Sequence, residues 1–432
     1  MGYTFDYRST MMMKLFMSRP DRLGGSEVVC DFDKALEIIK ETDVLTAGAP
    51  KIVYLVGWQY CGHDDKYPAF FEVNPSLKGK NEATARESLL KLIAEAKKYN
   101  TTVSVHINLA DAYENSPIFE DYIKHRALIT NVFGKPAKIE EYNGLPCYKV
   151  NYKAEWQSGL FRKRFDKLLE TLPLKEIGTV HIDNFQCYAN GNPSVSASEM
   201  QIYRKKMIDV FTENGIDITT EFTYREGALT RLLYGKIIRD KLPIKYPIDL
   251  IGKIPAVWWT DKMTGEEIMK YYPHVYGGGL LRDDAFFAAL YGNIHGEELF
   301  GKADFREEFT KQFALINVPF FYLNSKIRKG YTQDKNGVVV EYTDGTVSDG
   351  RNGTVMNGSK VLKTNDFVCM PVYWRKNCYI AYSEKGGKHT LYLDCAQAKV
   401  TEAENSNTEI IPVSDGKLDY AMKKGVLYII ET

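Results

Sequence analysis

KIVYLVG at residues 51–57, ATARESLLKLIAEAKKY at 83–99 and TTVSVHIN at 101–108 are the stretches whose reading decides the fold. The first and last are short apolar runs of strand length. The middle one repeats apolar residues at helical spacing, with Leu89, Leu90, Ile93 and Ala96 along one side, and Asn100 can close it in a left-handed turn. Together they read as one βαβ unit. Working outward, strands are expected at 178–183 (GTVHID), 218–222 (ITTEF), 254–259 (IPAVWW) and 318–323 (VPFFYL), with helices such as 197–214 between them. This alternation predicts an α/β domain over residues 50–325. A closed parallel barrel needs about 250 residues, close to that span. The competing open, doubly wound sheet would carry a glycine-rich phosphate loop after an early strand, and neither G-x-G-x-x-G nor G-x-x-x-x-G-K occurs. The expected architecture is therefore a (β/α)8, TIM-like barrel.

Beyond residue 326 the texture changes to short alternating runs such as GVVVEYTDGT and CYIAYSEKGGKHTLYLD. They are separated by hairpin dipeptides including Asp344-Gly345, Asn352-Gly353 and Asp415-Gly416. Residues 326–432 are expected to form a small all-β sandwich. Residues 1–49 are read as a segment packing on the barrel or the sandwich, with a helix at 31–41.

The chain has 432 residues, 44% of them hydrophobic and 26% charged, the composition of a folded globular protein. Lys and Arg number 56, as do Asp and Glu, so no net field draws in nucleic acid or an anionic membrane. There are 29 Tyr against 5 Trp, and hydroxylated rings suit ligands that are partly apolar and partly hydroxylated, as well as cores and sheets. Seven Cys at 30, 61, 147, 187, 369, 378 and 395 form no C-x-x-C pair, which argues against a zinc ribbon, an iron–sulfur cluster or a disulfide framework. With no apolar run of about 18 residues and no leader-like start, a cytoplasmic protein is expected, although a removed leader would give the same appearance.

Reactive groups of a parallel barrel sit at the C-terminal ends of its strands. There the sequence offers Trp58, His63 and Asp64 after the first run, His106 and Asn108 at the end of the second, His181 and Asp183 at a later one, and Glu221 after that. Asp183 and Glu221 end consecutive strands. Two such carboxyl groups about 5–5.5 Å apart can serve as nucleophile and acid/base of a retaining glycosidase, whereas about 6.5–9.5 Å leaves room for water in an inverting one. Each could equally cap a helix or pair with a base such as Arg225. His63, His106 and His181, with Asp64 and Asp183, allow a divalent-metal site and hence a metal-dependent hydrolase or deacetylase, but H-x-H and H-E-x-x-H are both absent. Trp58, Trp156 and Trp258-Trp259 could stack on sugars or fill the core. Gly277-Gly278-Gly279 lacks the Lys-Ser/Thr of a phosphate loop, and no G-x-S-x-G elbow occurs.

The run Gly57-Trp58-Gln59-Tyr60-Cys61-Gly62-His63-Asp64, with Tyr67-Pro68 behind it, resembles the segment after an early barrel strand in glycoside hydrolase families 101 and 129. These are α-N-acetylgalactosaminidase families acting on mucin-type O-glycans. The resemblance continues through Glu95–Asn100 into Val105-His106-Ile107-Asn108 and Ala112-Tyr113, and covers roughly residues 50–300. His181-Ile182-Asp183-Asn184 is similar to the segment of the family nucleophile, and Thr219-Thr220-Glu221 to that of its acid/base. The resemblance implies a retaining hydrolase of α-linked N-acetylgalactosamine that needs no cofactor or metal. Asp183 would be the nucleophile and Glu221 the acid/base, with His63, Asp64, His106, Asn108, Trp58 and His181 around the sugar. The partner implied is a carbohydrate. A non-catalytic glycan-binding protein is the alternative from another class.

Overall fold

The computed structural model describes residues 4–5, 10–183, 185–220, 294–295, 299–326, 328–334 and 337–432. Its centre is a six-stranded sheet in the spatial order Asp217–Thr220, Thr179–Asp183, Thr101–Asn108, Lys51–Val56, Met11–Phe16, Ile294–His295. All five pairings are parallel. From Met11 to Thr220 the spatial order follows chain order without reversal, and a strand far along the chain returns beside the first. A doubly wound sheet would instead reverse its order at a switch point.

The sheet thus starts inside the 1–49 segment, with Met11–Phe16 as an inner strand that pairs along its whole length with Lys51–Val56. Its MMMKLF sequence has no β-branched residue, which is why propensity does not mark it. The run 318–323, expected as a strand, is a helix, Val318–Asn324. A short continuous apolar run carries no periodicity that separates the two, and here it prolongs a helical stretch that begins at Phe305 and passes through a wider turn at Phe313–Asn317. The expected strand at 254–259 lies outside the described residues, as do Trp258, Trp259 and Gly277–Gly279.

Local chemistry explains the helices that flank the sheet. Asp31 caps the Phe32–Leu45 helix by accepting from the Lys34 N–H. Thr84 and Glu87 form a reciprocal capping box on Ala85–Ala96, and Asn100 ends the following turn at φ 49°, in the left-handed region. Leu89, Leu92, Ile93 and Ala96 are its buried apolar stripe. No described helix is long and apolar enough to cross a membrane.

Alternation gives the sheet two chemically different faces. Met11, Met13, Leu15, Val53, Leu55, Val103, Val105, Ile107, Val180 and Ile182 join the main apolar core with the helices. The other face carries Lys14, Tyr54, Ser104, His106, His181 and Thr219, all buried. On that face Tyr54 Oη lies 2.8 Å from Thr179 Oγ1, and Ser104 Oγ donates to the Thr179 carbonyl at 2.6 Å.

The C-terminal part is a ten-stranded antiparallel sheet running from Arg328–Asp334 at one edge to Thr408–Pro412 at the other, with a separate two-stranded antiparallel sheet of Gly387–Tyr392 and Lys417–Met422. Leu391, Leu418 and Met422 of the two-stranded sheet share a buried cluster with Phe367, Cys369, Ala381, Val400 and Ile430 of the large sheet.

Candidate active site

Sheet register assembles the site. It sets His106 opposite His181 and Asn108 opposite Asp183, at the C-terminal ends of adjacent strands. The loop after Lys51–Val56 then brings His63 over them. Ring centroids of His63 and His106 are 5.5 Å apart, those of His106 and His181 5.0 Å, and Tyr54 stands 5.5 Å from His181. The result is a file of three imidazoles with one carboxylate beside its first ring and another beside its middle one. Asp64 Oδ2 is 3.4 Å from His63 Nε2, and Asp183 Oδ2 is 3.9 Å from His106 Nε2. His181 Nδ1 lies 2.9 Å from Thr219 Oγ1 on the next strand.

The 57–67 loop is held in a shape that few sequences allow. Gly57 has φ 73°, and a Cβ there would sit 2.1 Å from the Ser18 carbonyl oxygen and 2.7 Å from the His63 nitrogen. That close approach is what lets His63 N–H donate to Ser18 O at 2.9 Å. Asp64 adopts φ 56°, which turns its side chain toward His63. Below them Tyr67 is fully buried. Its hydroxyl accepts from the Asp64 N–H at 3.2 Å and lies 3.3 Å from His63 Nδ1. Burial, and then the charge of Asp64, push this phenol well above its ordinary range, with Asp183 and Asp111 adding to the effect, so it works as a neutral hydroxyl.

The sequence-selected residues divide into two groups. His63, Asp64 and Asp183 keep side-chain exposures of 17%, 16% and 16%, enough to meet a ligand. Trp58 is fully buried, stacked on Phe70, and its indole donates to the His106 carbonyl at 3.0 Å. It braces the strand end instead of offering a ring to a sugar. Asn108 is also fully buried. Its carbonyl accepts from the N–H groups of Ala110 and Asp111, and its amide donates to Asp111 Oδ2 at 2.9 Å, so it shapes the turn after the strand. His106 and His181 are buried in the file. Glu221 lies outside the described residues. Among the described residues no three or more His, Cys, Asp or Glu are grouped to hold a metal ion.

Sequence reasoning missed the support behind these groups. Lys149, fully buried, places Nζ 2.6 Å from Asp111 Oδ1 and 2.5 Å from Glu140 Oε2. Burial opposes its charge, but Asp111 and its other neighbours outweigh burial and hold the ammonium above the ordinary lysine range. Burial likewise raises Glu140, but the hydrogen bond and charge of Lys149, helped by a hydrogen bond from Tyr142, together outweigh it and hold the carboxyl below its ordinary range. The only available signal was a lysine at the end of the short run LPCYK, which periodicity cannot distinguish from a solvated one.

Residues 20–231 match the family model of glycoside hydrolase family 101, described as endo-α-N-acetylgalactosaminidase. That stretch contains all the candidate residues, and the match bears out the resemblance seen in 57–64, 105–108 and 181–184. Solved structures of similar fold include α-N-acetylgalactosaminidase NagBb from Bifidobacterium bifidum in three forms. The quadruple mutant has 12% identity and a TM-score of 0.57 over 81% of this chain and 57% of that one. The complex with GalNAc has 14% identity and a TM-score of 0.53 over 82% and 57%. The ligand-free form has 14% identity and a TM-score of 0.55 over 81% and 57%. The present chain thus spans a little over half the length of these proteins, and at such identity the likeness is one of fold. No curated protein matches the chain.

Proposed function

We propose that the chain, whose residues 20–231 carry the family 101 likeness, is a retaining glycoside hydrolase of α-linked N-acetylgalactosamine on O-glycan-type substrates. The observation that carries this reading is Asp183: a partly accessible carboxylate at the C-terminal end of a parallel strand, beside His106, within the stretch that matches the family model. Asp183 attacks the anomeric carbon and forms a glycosyl ester. Glu221 protonates the leaving oxygen and then takes a proton from the water that opens the ester. Asp64 and His63, at the accessible end of the imidazole file, receive the sugar hydroxyls. The unreversed strand order supports closure into a (β/α)8 barrel, and the cluster shared by the two-stranded and the large sheet supports a C-terminal sandwich. Seven free thiols suit a reducing cytoplasm.

The test is a panel of para-nitrophenyl glycosides, with the α-N-acetylgalactosaminide and its β1,3-galactosyl form included. Wild type should cleave at least one of them, with the α anomer appearing first by proton NMR. Asp183→Asn should abolish turnover, and azide should restore Glu221→Ala on the activated substrate. A β-configured first product, or full activity in Asp183→Asn, would sink the assignment.

A further inference from the structure

We infer that Lys149 is the positioning residue of this site, a buried ammonium that ties together three segments around the strand ends and whose charge sets the protonation of the carboxylates there. The inference rests on the hydrolase reading and adds to it a residue that touches neither substrate nor reacting atoms.

Its three attachments come from different parts of the chain. Asp111, bonded at 2.6 Å, belongs to the turn that follows Asn108, and Asn108 is the register partner of Asp183. Glu140, bonded at 2.5 Å, lies on Lys138–Tyr142, the outer strand of a three-stranded sheet built onto this end of the molecule. The third is Tyr188, whose ring centroid lies 5.6 Å from Nζ, in the chain leaving Asp183. That chain is also gripped by Tyr152 Oη, which donates to the Gln186 carbonyl at 2.9 Å, and by Arg204, which donates to the Phe185 carbonyl at 2.8 Å. Removing the ammonium would free two carboxylates and one ring from a common anchor. Only one of those carboxylates reaches water, since Glu140 is 41% exposed and Asp111 is 3% exposed.

The same cation lies within a ring of acidic groups. Around it stand Asp111 and Tyr188, Glu140 and Tyr142 from the Lys138–Tyr142 strand, and Cys147 on its own strand, with Asp64 acting on Asp111 from beyond. At an effective dielectric of about 20–40, that of a partly wet site, a unit charge about 10 Å away shifts a carboxylate by roughly half to one pH unit. Lys149 therefore favours the ionised state that a nucleophilic aspartate needs.

Two variants of opposite charge effect test this. Lys149→Met removes a positive charge, so the acid limb of kcat/KM on the activated glycoside should move up by roughly half to one pH unit. Glu140→Gln removes a negative charge from the same pair, at a position open to solvent, and should move the limb down by less. A purely structural role would lower Tm in both without opposite displacements, and limbs that stay put overturn the inference. If Lys149→Met does not fold, the downward shift in Glu140→Gln still decides. Wild type that cleaves no glycoside overturns the hydrolase reading alone, and positioning is then read from amide exchange. Protection at residues 108–113 and 185–190 should fall in Lys149→Met and stay near wild type in Glu140→Gln, whereas unchanged protection in Lys149→Met overturns the inference.

Discussion

Asp64 shows how a residue's backbone and its chemistry can be one matter. A left-handed φ of 56° is a conformation that aspartate tolerates better than most residues, and it faces the carboxylate toward His63 while the N–H binds Tyr67. A partly buried carboxylate so held can accept hydrogen bonds from two hydroxyls of one sugar. A hydrogen bond to a charged group contributes about 1.5–3 kcal/mol, so Asp64→Asn should lower kcat/KM by about one to two powers of ten. Steady-state kinetics and a melting curve check this together. An early-melting variant with normal kinetics would make Asp64 a turn residue only. The buried companions follow another logic: Trp58 and Asn108 have their polar atoms committed to the His106 carbonyl and the Asp111 turn, and so act on the site by holding its strand in place.

At the scale of the element, the loop from Gly57 to Tyr67 does what a strand end alone cannot. It folds back over the sheet because Gly57 lets the Ser18 carbonyl and the His63 amide approach where a methyl would stand, and Gly62 makes a similar approach to Ser18 and Arg19 at φ 129°. Cys61 N–H and the Asn115 amide both donate to Asp65, which pins the loop from the far side. Gly57→Ala should therefore cost about 2–4 kcal/mol, combining left-handed strain with a backbone clash, and should displace His63 from the imidazole file. Chemical denaturation measures the first effect and loss of turnover the second. Stability and turnover both equal to wild type would show that the close approach is dispensable.

Over the whole molecule, one apolar core runs from Met11 of the parallel sheet through Phe313 and Tyr342 to Leu427 of the antiparallel one. Trp374 crosses between them. Its indole donates to the carbonyl of Thr46, the C-cap of the Phe32–Leu45 helix, at 3.1 Å, and its ring meets Phe313 and Phe321. A shared core predicts a single cooperative unfolding transition in calorimetry. Trp374→Ala should lower stability by about 2–4 kcal/mol, less than a fully buried tryptophan because this one is partly exposed. Two separate transitions in the wild type would mean that the parallel and antiparallel parts are energetically independent.

By itself the sequence determined what local physics controls. The strand Thr101–Asn108, the capped helices Ala85–Ala96 and Ala197–Glu213, and the turn at Asn100 follow from periodicity, caps and backbone preference. So does the placing of His63, Asp64, His106 and Asp183 at strand ends, since polar residues that interrupt apolar runs mark those ends. Tertiary structure decided whatever depends on a partner distant in the chain. The MMMKLF run became an inner strand because Lys51–Val56 and Ile294–His295 flank it, and the run 318–323 became a helix because an apolar segment without periodicity takes its form from the core around it. Lys149 reads as a solvated lysine until Asp111, Glu140 and Tyr188 close around it. A buried charge is set by neighbours 9 to 39 residues away, and no window of sequence contains them all.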